Sequence, residues 1–130
     1  MPPDQGDRSD DTFSLTPVAV AERWIHLFNA HDVQSLVHLY AQNGRHTSPR
    51  IRTLHPETHG ELIGRSALLD WWEAALKQTP SLHYDARKIV GDGTTAFVEY
   101  VRQATGEPDT VVVERFDVED GEIVSSQVFL

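Results

Sequence analysis

The chain has 130 residues, 39% of them hydrophobic, which suits one domain that buries roughly two-thirds of the surface its unfolded form exposes and needs no metal or disulfide for stability. It has no cysteine, which removes thiol nucleophiles, thiolate metal sites and disulfides together. Its formal charge of −9 argues against nucleic acid and anionic membrane as partners, since both select for clustered Lys and Arg.

No apolar run approaches the roughly 20 residues that span a bilayer, and the N-terminus lacks the basic and apolar regions of a signal peptide. The expectation is a soluble, cytoplasmic protein. Residues 1–14 carry Asp4, Asp7, Asp10 and Asp11 with two prolines, so a disordered acidic tail is predicted there, followed by one domain over 15–130.

Thr16-Pro17 is a helix start, with Thr as N-cap and Pro at the first helical position. Val20, Trp24, Leu27 and Phe28 then recur at helical spacing. Asp32 caps a second predicted helix, with Val33, Leu36, Val37 and Tyr40 as its buried stripe. After Gly44 a short strand is expected, stopped by Pro49, and then a polar loop over 50–60. Gly64-Arg65-Ser66 opens a third helix whose apolar face is Leu68, Leu69, Trp72, Ala75 and Leu76.

Four strands are predicted over 82–90, 95–103, 110–118 and 123–130. Gly91-Asp92-Gly93, Thr105-Gly106-Glu107-Pro108 and Asp120-Gly121 separate them, which implies an antiparallel meander. The segment Val111-Val112-Val113 is apolar on both faces, although helices cover only one face of a sheet.

The run Trp24-Ile25-His26-Leu27-Phe28-Asn29-Ala30-His31-Asp32, then Leu36-Val37-His38-Leu39-Tyr40-Ala41 and Arg45-His46-Thr47-Ser48-Pro49, resembles the opening of SnoaL-like proteins in the nuclear transport factor 2-like superfamily. The resemblance implies an α+β fold, a cone of curved antiparallel sheet enclosing a pocket covered by three N-terminal helices. It also implies a homodimer through the outer sheet face. This scaffold hosts isomerases, cyclases, epoxide hydrolases and proteins with no chemistry, so the fold alone does not name a reaction.

Strand alternation puts Val112, Glu114, Phe116 and Val118 on one face, so Glu114 is predicted as a carboxylate among apolar groups at the pocket. Desolvation there raises its pKa and suits it to act as an acid. The alternative is a Glu114 paired with an Arg or placed at an exposed edge. His46 and Ser48 share a face of the first strand, and His is the usual acid or base near neutral pH, against the alternative of a hydrogen-bonded or solvent-facing ring.

Laid on ketosteroid isomerase through the Asn-Ala-x-Asp corner and the final Asp-Gly turn, Glu114 falls where that enzyme keeps a protonated acid. Trp24 falls at its oxyanion-hole tyrosine and Ser48 at its aspartate base. An indole donates one N–H and a serine hydroxyl is no base near neutral pH, so steroid isomerase activity is not implied.

Trp24, Phe28, Tyr40, Trp72, Tyr84 and Phe116 are the aromatic candidates for the pocket wall, with Ser48, Glu99 and Val128 beside them. His55 and His59 stand four apart, but Pro56 and Gly60 interrupt a helical ligand pair, so neither metal nor cofactor is expected. Two functions follow as expectations. The first is a small enzyme acting by acid/base chemistry on an apolar cyclic or polyketide-like substrate, with Glu114 and His46 catalytic. The second is a non-catalytic dimeric module that binds a small apolar molecule.

Overall fold

The computed structural model describes residues 16–129; the predicted tail and Leu130 lie outside the described residues. Helix α1 (Pro17–Asn29) begins as the sequence predicts, with the Thr16 side chain accepting from the Ala19 N–H. Asp32 likewise caps the short α2 (Val33–Val37) by accepting from the Ser35 N–H at 3.1 Å. Between them His31 adopts φ 59°, in the left-handed region, which makes the tight corner.

Tyr40 does not close α2. It opens strand β1 (Tyr40–Thr47), because the final strand draws this segment into the sheet: the Ile123 N–H donates to the Leu39 carbonyl at 2.8 Å. Arg65 then holds the Tyr40 carbonyl through Nε and NH2 at 3.0 and 2.8 Å. The segment expected as a plain loop over 50–60 holds a short helix α3 (Pro49–Leu54), capped by the Ser48 hydroxyl on the Ile51 N–H, and a 3-10 turn (Pro56–Thr58). The edge strand β2 (Glu61–Ile63), absent from the sequence reading, pairs with β1. Helix α4 (Arg65–Gln78) buries Leu68, Trp72 and Leu76.

Strands β3 (His83–Gly91), β4 (Thr95–Gln103), β5 (Thr110–Glu119) and β6 (Glu122–Val128) form the expected antiparallel meander. The sheet order is β2-β1-β6-β5-β4-β3, and β1 pairs with β6 in parallel, so the antiparallel sheet contains one parallel seam. Register shifts between Tyr40 and Arg45, Ala86 and Lys88, and Asp117 and Val118 bend the strands into a curve.

Helix α1 fills the concavity over β3, β4 and β5. Gly91 permits this approach, since a Cβ there would stand 2.9 Å from Val18 Cγ2 and 2.6 Å from the Thr95 carbonyl. Asn29 fastens the other end of α1: its Nδ2 donates to the Tyr84 carbonyl and its Oδ1 accepts from the Tyr84 N–H, both at 2.8 Å. Trp24 stands at the centre of the core, with Phe28 stacked at 5.3 Å and Trp72 edge-on at 5.8 Å.

Candidate functional site

The alternation of β5 places Val112, Glu114, Phe116 and Val118 inward, all buried. Glu114 lies opposite Val98 on β4 and Val128 on β6, within the concave face. Its Oε1 accepts from the Tyr100 hydroxyl at 3.0 Å, a diagonal contact across the β4–β5 ladder. Its Oε2 is the one buried side-chain polar atom among the described residues without a hydrogen-bond partner. Burial drives the Glu114 pKa up to about 8, against the smaller opposing effect of the Tyr100 bond. At neutral pH the group is therefore mostly a neutral carboxylic acid with one oxygen uncommitted.

His46 reaches the same place from β1, where its register partner across the parallel seam is Ser126. Its Nδ1 lies 2.7 Å from Ser126 Oγ, which lies 2.7 Å from Tyr40 Oη, which accepts from Trp24 Nε1–H at 3.1 Å. The direction of this chain follows from donor arithmetic. An indole nitrogen only donates, so Tyr40 accepts from Trp24; every hydroxyl proton of the chain then finds an acceptor when Tyr40 donates to Ser126 and Ser126 donates to His46 Nδ1. His46 is then a neutral ring carrying its proton on Nε2. Burial alone agrees, because it pushes the His46 pKa down to about 3.

His46 Nδ1 and Glu114 Oε2 approach to 3.8 Å, too far for a hydrogen bond, and with both groups neutral they form no ion pair. They share the wall of a cavity of about 280 Å³. Of the residues predicted to line it, Trp24, His46, Ser48, Trp72, Tyr84, Glu114 and Val128 do so. Phe28, Tyr40 and Phe116 are fully buried in the core instead. Glu99 is a correction: it is exposed on the opposite face of β4, because Ala96, Val98 and Tyr100 take the inward phase.

Sequence reasoning missed Tyr100, Ser126, Trp71, Arg50 and Arg102. Tyr100 and Arg102 share the phase of Ala96 and Val98, but Phe97 and Val101 make the other phase of β4 apolar too, so alternation alone does not choose between them. Ser126 was not accessible either, since the parallel β1–β6 seam that brings it to His46 has no local signature. His55 and His59 end separate turns of the α3 segment, and no group of three or more His, Asp or Glu among the described residues is placed to hold a metal.

The SnoaL-like domain family matches residues 21–126 of the chain. The chain belongs to the SnoaL-like family. The fold recurs in a SnoaL-like protein of unknown function from Burkholderia thailandensis, 25% identical, covering 83% of this chain and 88% of that one with a TM-score of 0.73. It recurs in a candidate polyketide cyclase from Sinorhizobium meliloti, 18% identical, with 84% and 92% covered and a TM-score of 0.71. A candidate ketosteroid isomerase from Kribbella flavida is 20% identical, with 85% and 73% covered and a TM-score of 0.68. No curated protein matches the chain. Among the described residues no helix is long and apolar enough to cross a membrane.

Proposed function

We propose that this SnoaL-like protein is a small-molecule enzyme in which Glu114 is the acid, acting on a carbonyl of an apolar cyclic or polyketide-like substrate. The observation that carries this reading is the uncommitted Oε2 of a buried, neutral Glu114 on the wall of the cavity. Such a group donates a hydrogen bond to a developing enolate oxygen, and its setting among apolar side chains strengthens that bond. Tyr100 fixes the carboxyl by donating to its other oxygen.

His46 enters as a second donor rather than as the base expected from sequence. Its Nδ1 is committed to Ser126, and a ring with a pKa near 3 removes protons poorly at neutral pH. A neutral imidazole that donates through Nε2–H still polarises a carbonyl. The cavity wall then offers two donors and no base of ordinary strength, which suits a substrate whose C–H is already acidified between two carbonyls and loses its proton to water.

The lack of a base also favours one second reading, a non-catalytic module that holds a small molecule by the same two donors. Native mass spectrometry of the protein as purified identifies retained molecules; turnover is then compared between wild type and Glu114→Gln. An enzyme loses about 100-fold or more in turnover while still binding. Undiminished turnover removes Glu114 from the chemistry, and binding without turnover by wild type establishes the second reading.

A further inference from the structure

The charge on the cavity wall runs against the charge of the chain. Although the protein carries −9 overall, the charged side chains lining this cavity are two guanidinium groups, Arg50 and Arg102, and the one lining carboxyl, Glu114, is neutral. Arg102 comes from the far end of β4, with its side chain only 16% exposed, and donates through NH1 to Glu107 Oε1 at 2.7 Å. Arg50 comes from the first turn of α3 and has no ion pair or hydrogen bond from its side chain among the described residues.

Both guanidinium groups act on the same neighbours. Each favours the ionised form of Tyr84 and of Glu107, so they converge on one rim. Glu107, half-exposed, is paired with Arg102, and Arg50 is the guanidinium of this rim with no ion pair among the described residues. The wall between this rim and Glu114 is apolar and aromatic, made by Trp71, Trp72, Tyr84 and Val112. A planar guanidinium on a partly desolvated rim is matched to a planar anion by paired N–H donors.

We infer that the ligand of this cavity is an anionic amphiphile: an apolar ring system with one carboxylate, the carboxylate held at the mouth by Arg50 and Arg102 and the ring directed inward toward Glu114 and His46. This deepens the reading that the cavity is the ligand site and rests on it. A cavity of about 280 Å³ holds one or two fused rings. The neutrality of Glu114 is part of the fit, because a carboxylate there would repel the incoming anion.

The test is calorimetric titration at neutral pH with 2-naphthoate and its uncharged counterpart 2-naphthylmethanol. Wild type is expected to bind the carboxylate about tenfold or more tightly than the alcohol. That preference should shrink as salt is raised. Arg50→Gln, at an exposed position, is expected to weaken binding of the carboxylate far more than that of the alcohol and so remove most of the preference. Equal binding of both probes by wild type overturns the anionic head group while leaving the cavity as a ligand site. A preference that survives intact in both Arg50→Gln and Arg102→Gln overturns the assignment of these residues. Failure of both probes to bind removes the inference together with the reading beneath it.

Discussion

Ser126 Oγ stands 2.7 Å from His46 Nδ1 and 2.7 Å from Tyr40 Oη, at the parallel seam between β1 and β6. One hydroxyl thereby links Trp24 and Tyr40 to His46, and when it donates to Nδ1 the proton of the neutral ring sits on Nε2.

Ser126→Ala removes a buried donor and acceptor at once and leaves Tyr40 and His46 each short of a partner. The expected cost is about 1–3 kcal/mol in urea denaturation. The imidazole, no longer held, should also change its nitrogen-15 shifts toward a mixture of tautomers. Unchanged stability and shifts would show that the chain of hydrogen bonds does not order His46.

Stability should depend on pH in a way set by the two buried groups. Glu114 has its pKa raised from 4.5 to about 8 on folding, so the stability linked to it is complete below 4.5 and lost as pH rises through about 8. His46 has its pKa lowered from 6.5 to about 3, so its contribution is complete above 6.5 and lost as pH falls through about 3. The two slopes oppose one another between 4.5 and 6.5. Glu114→Gln cancels the first alone: relative to the variant, wild type should lose up to about 1.4 kcal/mol per pH unit between 4.5 and about 8. Parallel stability curves for the two proteins would contradict a buried Glu114.

Asn29→Ala should cost about 1–3 kcal/mol, because it deletes both hydrogen bonds to the Tyr84 backbone and leaves a strand N–H and carbonyl to find new partners. Thermal denaturation checks this. The stack of Phe28 on Tyr84, 4.1 Å between centroids, should loosen with it and show as a change in near-ultraviolet circular dichroism.

The outer sheet face is proposed as the homodimer surface. Phe97, Val111 and Phe129 are exposed there to 38%, 57% and 44%, with the Phe97 and Phe129 rings 6.5 Å apart and the Arg115 guanidinium over Phe97. Light scattering at micromolar concentration should report a dimer for wild type and a monomer for Phe97→Glu with Val111→Lys. A monomeric wild type would end the proposal.

The parts of this fold legible in sequence were those decided locally. Thr16-Pro17 and Asp32 announced their helices because capping chemistry lies within four residues, and the alternation from Val112 to Val118 placed Glu114 inward because a strand has a period of two. The same Ser-Pro signature at Ser48-Pro49, read as the stop of a strand, was also the start of α3. Tyr40 was misplaced because its helical spacing was overridden by pairing with β6, more than 80 residues away in sequence. Glu99 was misplaced because β4 has apolar residues in both phases, and only the ladder with β5 selects between them. The role of His46 depended on Ser126, which no spacing connects to it.

The central claim is that Glu114 is a protonated acid in the cavity at neutral pH. Wild-type minus Glu114→Gln infrared difference spectra, recorded against pH, address it directly. The expected result is the carbonyl stretch of a protonated carboxylic acid at neutral pH, giving way to carboxylate bands with a midpoint near 8. Carboxylate bands already present at neutral pH, with a midpoint near the ordinary 4.5, would contradict it.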